Sequence, residues 1–356
     1  MAADQILALE VVTANGTFVT ATPVENNDLY WALSGGGGST YGIVTSVIVK
    51  ARPQIHVTKS LFSFQTSPTV SVEAFWAALH SFFENFIPFT DAGTYSYWSL
   101  ERRDGKYSFD MTPFFAPNHT IESFNALVKP WFDRIAQLGI KITPKTTFHP
   151  DFYDAYQNEA FGNDERGGFG LVRQGSRLFP RANWEDKAKL NATFDVVRKT
   201  IEKNGFMVGY HQAPRNRGQA DNAVNPAWRQ TIAFLITASL VPENPTIAQI
   251  RNASDTLTRD IMGQWRAVAP NSAGGGVYGN EADLQEPDWQ REFYGSLYPR
   301  LHSIKQKWDP AGVFYAHTAV GSENWVVKDG DQGVQTQNGR LCRVEPAVAR
   351  RHGVKN

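Results

Sequence analysis

Residues 35–38 are four glycines in succession, set between an apolar helical turn and a strand rich in Val and Ile. Ordering each glycine costs backbone entropy, so such a run persists where the chain takes φ > 0 or must approach something closely. Successive main-chain N–H groups in that conformation form a concavity for phosphate or another electron-rich group. The upstream helix is predicted to start at Asp28 as N-cap and to carry Leu29, Trp31, Ala32 and Leu33. Downstream, Ile43, Val44, Val47 and Val49 predict a strand. The order helix–loop–strand excludes two phosphate loops. No Gly-Lys-Ser/Thr follows, as a P-loop needs, and a dinucleotide fingerprint follows a strand and opens a helix. A floppy linker is the competing reading, but the flanks are apolar rather than polar.

Residues 6–21 alternate around Asn15-Gly16, the pattern of a tight hairpin in which both turn residues take φ > 0. The chain therefore begins inside a sheet. From residue 57 the texture changes. Strands are predicted at 57–64, 94–100, 107–115, 206–211 and 231–241, with Asp104-Gly105 turning between the second and third. Helices are predicted at 72–86 (Phe75, Leu79, Phe82 and Phe83 on one face), 121–138, 187–204 and 246–265. Pro130 should break or kink the second, and Gly205 should end the third. After the glycines at 274–276, Glu286-Pro287-Asp288 opens one helix and Pro299 a second, which Asp309-Pro310 ends. Strict βαβ alternation is absent, so the fold class is α+β with an antiparallel sheet backed by helices.

Composition removes several functions. The 35 basic and 35 acidic side chains cancel, so the field a nucleic-acid binder needs is missing. No stretch of about 18 apolar residues predicts a membrane span. A single cysteine, Cys342, excludes an internal disulfide and a multi-Cys metal site, and no metal set is predicted. Met1–Gln5 lacks a signal-peptide pattern, whereas the sequons at Asn15, Asn118, Asn191 and Asn252 point toward a secretory history. The compartment is left unassigned.

Four segments together resemble one family. Asp28 through Thr45, including the glycine run, resembles the second flavin-contacting segment of vanillyl-alcohol-oxidase-type FAD domains. Tyr278-Gly279-Asn280-Glu281-Ala282-Asp283 resembles the Tyr-x-Asn-x-x-Asp element of berberine-bridge-enzyme-like members. Asp309-Pro310-Ala311-Gly312-Val313-Phe314 with Gly321–Trp325 resembles their C-terminal segment, and Asn222 through Arg229 is similar to fungal members. The resemblance implies three parts: 1–56, the C-terminal part of an FAD-binding α/β domain; 57–275, an antiparallel-sheet substrate domain; and 276–356, a segment returning to the FAD domain. It also implies a departure. Full-length members carry a subdomain before the first hairpin, with the main pyrophosphate loop and often a His or Cys bonded to FAD. Nothing here matches it. The chain is therefore read as N-terminally truncated, with that subdomain as a missing partner and no covalent attachment residue.

The implied activity is oxidation of a small organic substrate (alcohol, sugar or secondary metabolite), with hydride passing to FAD and O2 reoxidising it. By resemblance, Gly36, Gly37, Gly38, Ser39, Thr40, Gly42, Ile43, Val44, Tyr278 and Asn280 contact the cofactor. Asn280 bonds the flavin or orients Tyr278, and Asp283 caps the following turn. Sugar-oxidising relatives place a Tyr base directly after the motif Asn; Glu281 stands there, and a carboxylate serves if burial raises its pKa. Tyr210 and His211 lie on a strand that should face the flavin, and either is a candidate base or substrate contact. The alternatives are an inactive truncated remnant and a non-redox small-molecule binding module. Substrate identity is not legible.

Overall fold

The computed structural model describes residues 1–38, 40–157, 172–214, 221–328 and 337–344. Its first sheet contains the expected hairpin, β1 (Ile6–Val12) antiparallel to β2 (Phe18–Ala21). The turn is longer than expected. Of Asn15 and Gly16 only Gly16 takes φ > 0, at 81°. Thr13 N–H donates to Thr17 O at 2.9 Å, and Asn15 Oδ1 accepts from Thr17 N–H at 3.1 Å. That side-chain bond holds the loop, so Asn15 need not enter the left-handed region. β3 (Ile43–Val49) pairs with the other edge of β1, giving the order β2-β1-β3.

The helix before the glycine run spans Asn27–Leu33 and is preceded by Asn26, not Asp28, as N-cap. Asp28 instead accepts from its neighbour Leu29 N–H at 2.9 Å and from Lys307 Nζ at 2.6 Å. Leu29, Trp31 and Ala32 pack with Leu9, Val11 and Tyr41, and with the distant Val277, Phe293, Tyr294, Leu301 and Ile304. Residues from both ends of the chain thus share one core.

A second core lies against a seven-stranded sheet. Its strands are β4 (Val57–Gln65), β5 (Tyr95–Arg103), β6 (Lys106–Pro117), β7 (Lys145–His149), β8 (Val172–Pro180), β9 (Phe206–His211) and β10 (Thr231–Leu240). They run antiparallel in the order β7-β4-β6-β5-β9-β10-β8. The helices Val72–Glu84, Ile121–Gln137 and Lys187–Asn204 bury Phe82, Trp131 and Val197 against Trp98, Phe109 and Met207 of the sheet. Phe82 and Trp131 stack at 4.4 Å between ring centroids. Period-2 burial leaves Tyr95, Tyr97 and Ser99 on the opposite face from Ser96, Trp98 and Leu100. Gly209 makes room for this core, since a Cβ there would lie 2.1 Å from the Trp98 ring.

Pro130 does not interrupt its helix. The carbonyl it frees, four residues earlier on Ala126, lies on the exposed face and is solvated at little cost. Gly205 ends the Lys187–Asn204 helix at φ 78°, as expected. β11 (Trp325–Lys328) pairs antiparallel with β12 (Arg340–Arg343).

Candidate functional site

Gly35, Gly37 and Gly38 line one cavity, whereas Gly36 is packed away from it. Gly35 takes φ 109°, and a Cβ there would lie 2.5 Å from Val224 Cγ2. Gly36 is buried: its N–H donates to Ala32 O at 2.9 Å, and a Cβ would sit 2.5 Å from Ala32 O and Leu301 Cδ2. It is glycine for packing and does not reach the site. Gly37, at φ 95°, and Gly38 line a cavity of about 450 Å³. Among the described residues their N–H groups donate to no backbone carbonyl. The cavity's other wall includes Tyr278, Gly279 and Asn280, with Trp228, Tyr294 and Thr318 between. Gly37, Gly38 and the Tyr278–Asn280 segment thus line one space.

The residues after the run do not join it. Ser39 lies outside the described residues. Thr40 is buried and gives its carbonyl to Lys305 Nζ at 2.6 Å. Gly42 is required by packing, since a Cβ would lie 2.6 Å from Val11 Cγ1. Ile43 and Val44 pair with Val12 and Val11 on β3 and are solvent-exposed, at 57% and 42%. None of these four lines the cavity.

Asn280 Nδ2 donates to Tyr278 OH at 2.8 Å, so Asn280 orients Tyr278. Tyr278 packs edge-on against Trp228 and Phe234, at 5.4 and 5.9 Å between centroids. Phe234 stacks on Tyr210 at 5.7 Å, and Tyr210 meets Tyr97 and Tyr95 at 5.1 and 5.8 Å. The register explains this continuity: Tyr97, Tyr210, Phe234 and Leu178 are successive cross-strand partners on β5, β9, β10 and β8. The face of the sheet opposite the three long helices therefore carries an aromatic row that adjoins the cavity. Glu281 lies beside this row. Burial raises its pKa above the usual carboxylate range. Burial also raises the phenol pKa values of Tyr95, Tyr97 and Tyr210, and the nearby Glu281 charge adds to each shift.

His211 is on the other face. It is fully buried beneath the helices, with Nε2 3.0 Å from Thr94 Oγ1 and Nδ1 2.5 Å from Ser96 Oγ. Phe82, Phe86, Phe89 and Phe114 surround it. Burial pushes its pKa down to about 3. It is a neutral core histidine, separated from the site by the alternation that turns Tyr210 toward it. Tyr95, Tyr97, Tyr294 and Thr318 were not singled out from sequence. Strand alternation about Trp98 marks Tyr95 and Tyr97 as sharing the face opposite it, but no local pattern marks Tyr294 or Thr318.

Behind the Tyr278–Glu281 segment runs a buried ionic brace. Arg266 donates to both Glu286 carboxylate oxygens at 3.1 Å and to Thr258 O at 2.6 Å. Thr258 Oγ1 donates to Asp283 Oδ2 at 2.5 Å, while Asp283 Oδ1 caps Gln285 N–H at 2.9 Å, the turn-capping role expected for it. Burial pushes Glu286 up to about 7 against the opposing pull of Arg266 and Arg177. Among the described residues no group of His, Cys, Asp and Glu is arranged for a metal, and no helix is long and apolar enough to cross a membrane.

Residues 277–321 match the family described as berberine and berberine like. The FAD-linked oxidoreductase patO of Aspergillus clavatus is 35% identical over 352 residues, covering 97% of this chain and 57% of that protein. The VAO-type flavoprotein oxidase VAO615 of Thermothelomyces thermophilus is 32% identical, over 96% of this chain and 57% of that protein. The crystal structure of the VAO-type flavoprotein MtVAO615 from Myceliophthora thermophila superposes with a TM-score of 0.84 at 28% identity, over 96% of this chain and 60% of that one. The chain thus spans a little over half the length of the curated relatives it matches.

Proposed function

The chain belongs to the berberine-bridge-enzyme-like, FAD-linked oxidoreductases of the vanillyl-alcohol-oxidase type, and from that premise we propose that it forms the substrate wall and one side of the flavin site of an oxidase acting on a small organic substrate. The observation that carries this reading is that Gly37 and Gly38, whose N–H groups have no backbone acceptor among the described residues, line one cavity with the Tyr278–Asn280 segment. These residues fit a flavin. Bare amides suit its electron-rich edges, and Trp228, Tyr278 and Tyr294 offer flat apolar surface to its ring. When bound, FAD supplies the hydride acceptor, and O2 restores it.

The chain's own residues bind, orient and remove a proton. Tyr210, Tyr97 and Tyr95 hold the substrate on the aromatic row, with phenols kept protonated by their raised pKa values. Asn280 fixes the Tyr278 ring at the junction between row and cavity. Glu281 takes the proton from the substrate's hydroxyl or amine, and burial has moved its basicity toward the range a general base needs. The remainder of the flavin cradle comes from a further N-terminal subdomain, supplied by upstream sequence or a second chain. The exposed aliphatic strand β3 supports this, with Ile43, Val47, Ile48 and Val49 more than half exposed.

The test is Glu281→Gln. It keeps the shape and removes the base, so FAD binding should hold while the rate of substrate-driven flavin reduction falls by roughly 10²–10⁴-fold. In the wild type that rate should rise with pH as the carboxylate ionises. A Gln variant that reduces flavin at the wild-type rate would remove Glu281 from the mechanism. Retention of substrate without any retention of FAD would favour a non-redox binding module.

A further inference from the structure

Lys305, in the helix Tyr298–Trp308, is 4% exposed. A buried ammonium is costly unless every N–H is used. Its three are matched by three acceptors: Thr40 O at 2.6 Å, Asp309 Oδ2 at 2.5 Å and Phe314 O at 2.7 Å. Asp309, 1% exposed, also accepts from Val313 N–H at 2.8 Å and Phe314 N–H at 2.9 Å. Burial acts to raise the Asp309 pKa, but Lys305 and the two backbone donors outweigh it and hold the carboxyl below its usual range. One nitrogen thus ties the exit of the glycine run to a helix and its following turn, Asp309-Pro310-Ala311-Gly312-Val313-Phe314, 265 residues further along the chain.

An apolar side chain of similar volume would fill this space at lower desolvation cost. It would not fix the direction of two carbonyls. Thr40 follows the run closely, and its carbonyl has no freedom while Lys305 holds it. Upstream, Gly36 is held by Ala32 O, and Ser34 O accepts from Ala223 N–H at 3.1 Å. The run is therefore pinned at both ends, with Gly37 and Gly38 between the pins.

We propose that Lys305 is a positioning residue of the flavin site: by holding the Thr40 carbonyl against the 309–314 turn, it sets the path of the glycine run so that Gly37 and Gly38 stand at the cavity wall. The ligand part of this statement rests on the reading that the cavity holds a flavin. The claim about the loop does not.

Amide hydrogen exchange by mass spectrometry, on the full chain and on Lys305→Met with and without FAD, separates the two. In Lys305→Met, the hydrogen-bonded Gly36 amide should exchange at least tenfold faster, while peptides from β5 and β6 keep their rates. The Kd for FAD should rise by about tenfold or more. Unchanged exchange across the glycine run in the Met variant would overturn the proposal. If neither protein bound FAD, the flavin reading would fail for this chain, and the exchange comparison would still decide the clamp. Should the Met variant not fold, urea-dependent exchange of the wild type decides it. The amides of Gly36, Val313 and Phe314 should open together as one unit; opening of the glycine run alone, at lower urea, would overturn it.

Discussion

Replacing Gly38 with alanine separates a cofactor cradle from a flexible linker. Gly38 lies outside the left-handed region, and a Cβ built on it meets no heavy atom within 4 Å. The substitution is therefore sterically free in the folded chain. It also reduces the freedom of the unfolded chain, which is worth about 0.4–1 kcal/mol of added stability. Yet the new methyl stands at the cavity wall, where a bound ligand would lie against bare main chain. Intrusion of one methyl into a close-packed contact costs roughly 1–3 kcal/mol, a rise in Kd of about 5- to 150-fold. Gly37→Ala serves as the contrast. At φ 95° an alanine is strained, so it should lose about 1–3 kcal/mol of folding stability as well as affinity. FAD titration followed by free-flavin fluorescence reads affinity, and urea unfolding followed by tryptophan fluorescence reads stability. A folded Gly38→Ala protein that binds FAD within twofold of wild type would refute the argument that this backbone abuts the flavin.

Three further outcomes are expected. His211→Phe should remove one source of acid sensitivity without touching the site. The folded His211 pKa lies near 3 against 6.5 unfolded, so the wild type loses stability as pH falls through 6.5 toward 3; parallel stability–pH curves for the two proteins would contradict this. Glu286 has the opposite sign. Its contribution is present below pH 4.5 and lost as pH rises through about 7. Glu286→Gln should therefore gain on wild type between pH 5 and 8, by up to about 3 kcal/mol, and a constant offset would count against it. The exposed aliphatic face of β3 should make the chain self-associate, and Ile48→Lys should reduce the light scattering; equal scattering from both proteins would count against β3 as the contact surface.

Much of the fold was legible because its signals are local. Alternation about Asn15-Gly16, the Phe75–Phe83 face and the Gly205 stop each report a backbone period or a φ requirement that neighbours in sequence impose. β7 and β8 carried no such signal. β8 buries Ser176 and Arg177, whose polarity is offset by partners remote in sequence, as Arg177 Nε donates to Ala269 O at 2.7 Å. The candidate site was legible in outline only. Four glycines mark a constrained loop, but that Gly36 is packed away from the cavity depends on Leu301 and Ala223, which no local pattern reveals. Tyr210 and His211 must point to opposite faces of a strand, and sequence does not say which face the helices cover. The cavity is assembled from segments as distant as Gly38, Trp228 and Thr318, so its shape follows from topology rather than from any one motif.

Gly37–Gly38 and Tyr278–Asn280 should enclose a flavin. A crystal structure of the chain with FAD tests it most directly. Flavin density is expected between those two segments, with a Gly37 or Gly38 N–H donating to it. Flavin bound elsewhere, or a loop whose free N–H groups turn inward to protein carbonyls, would contradict it.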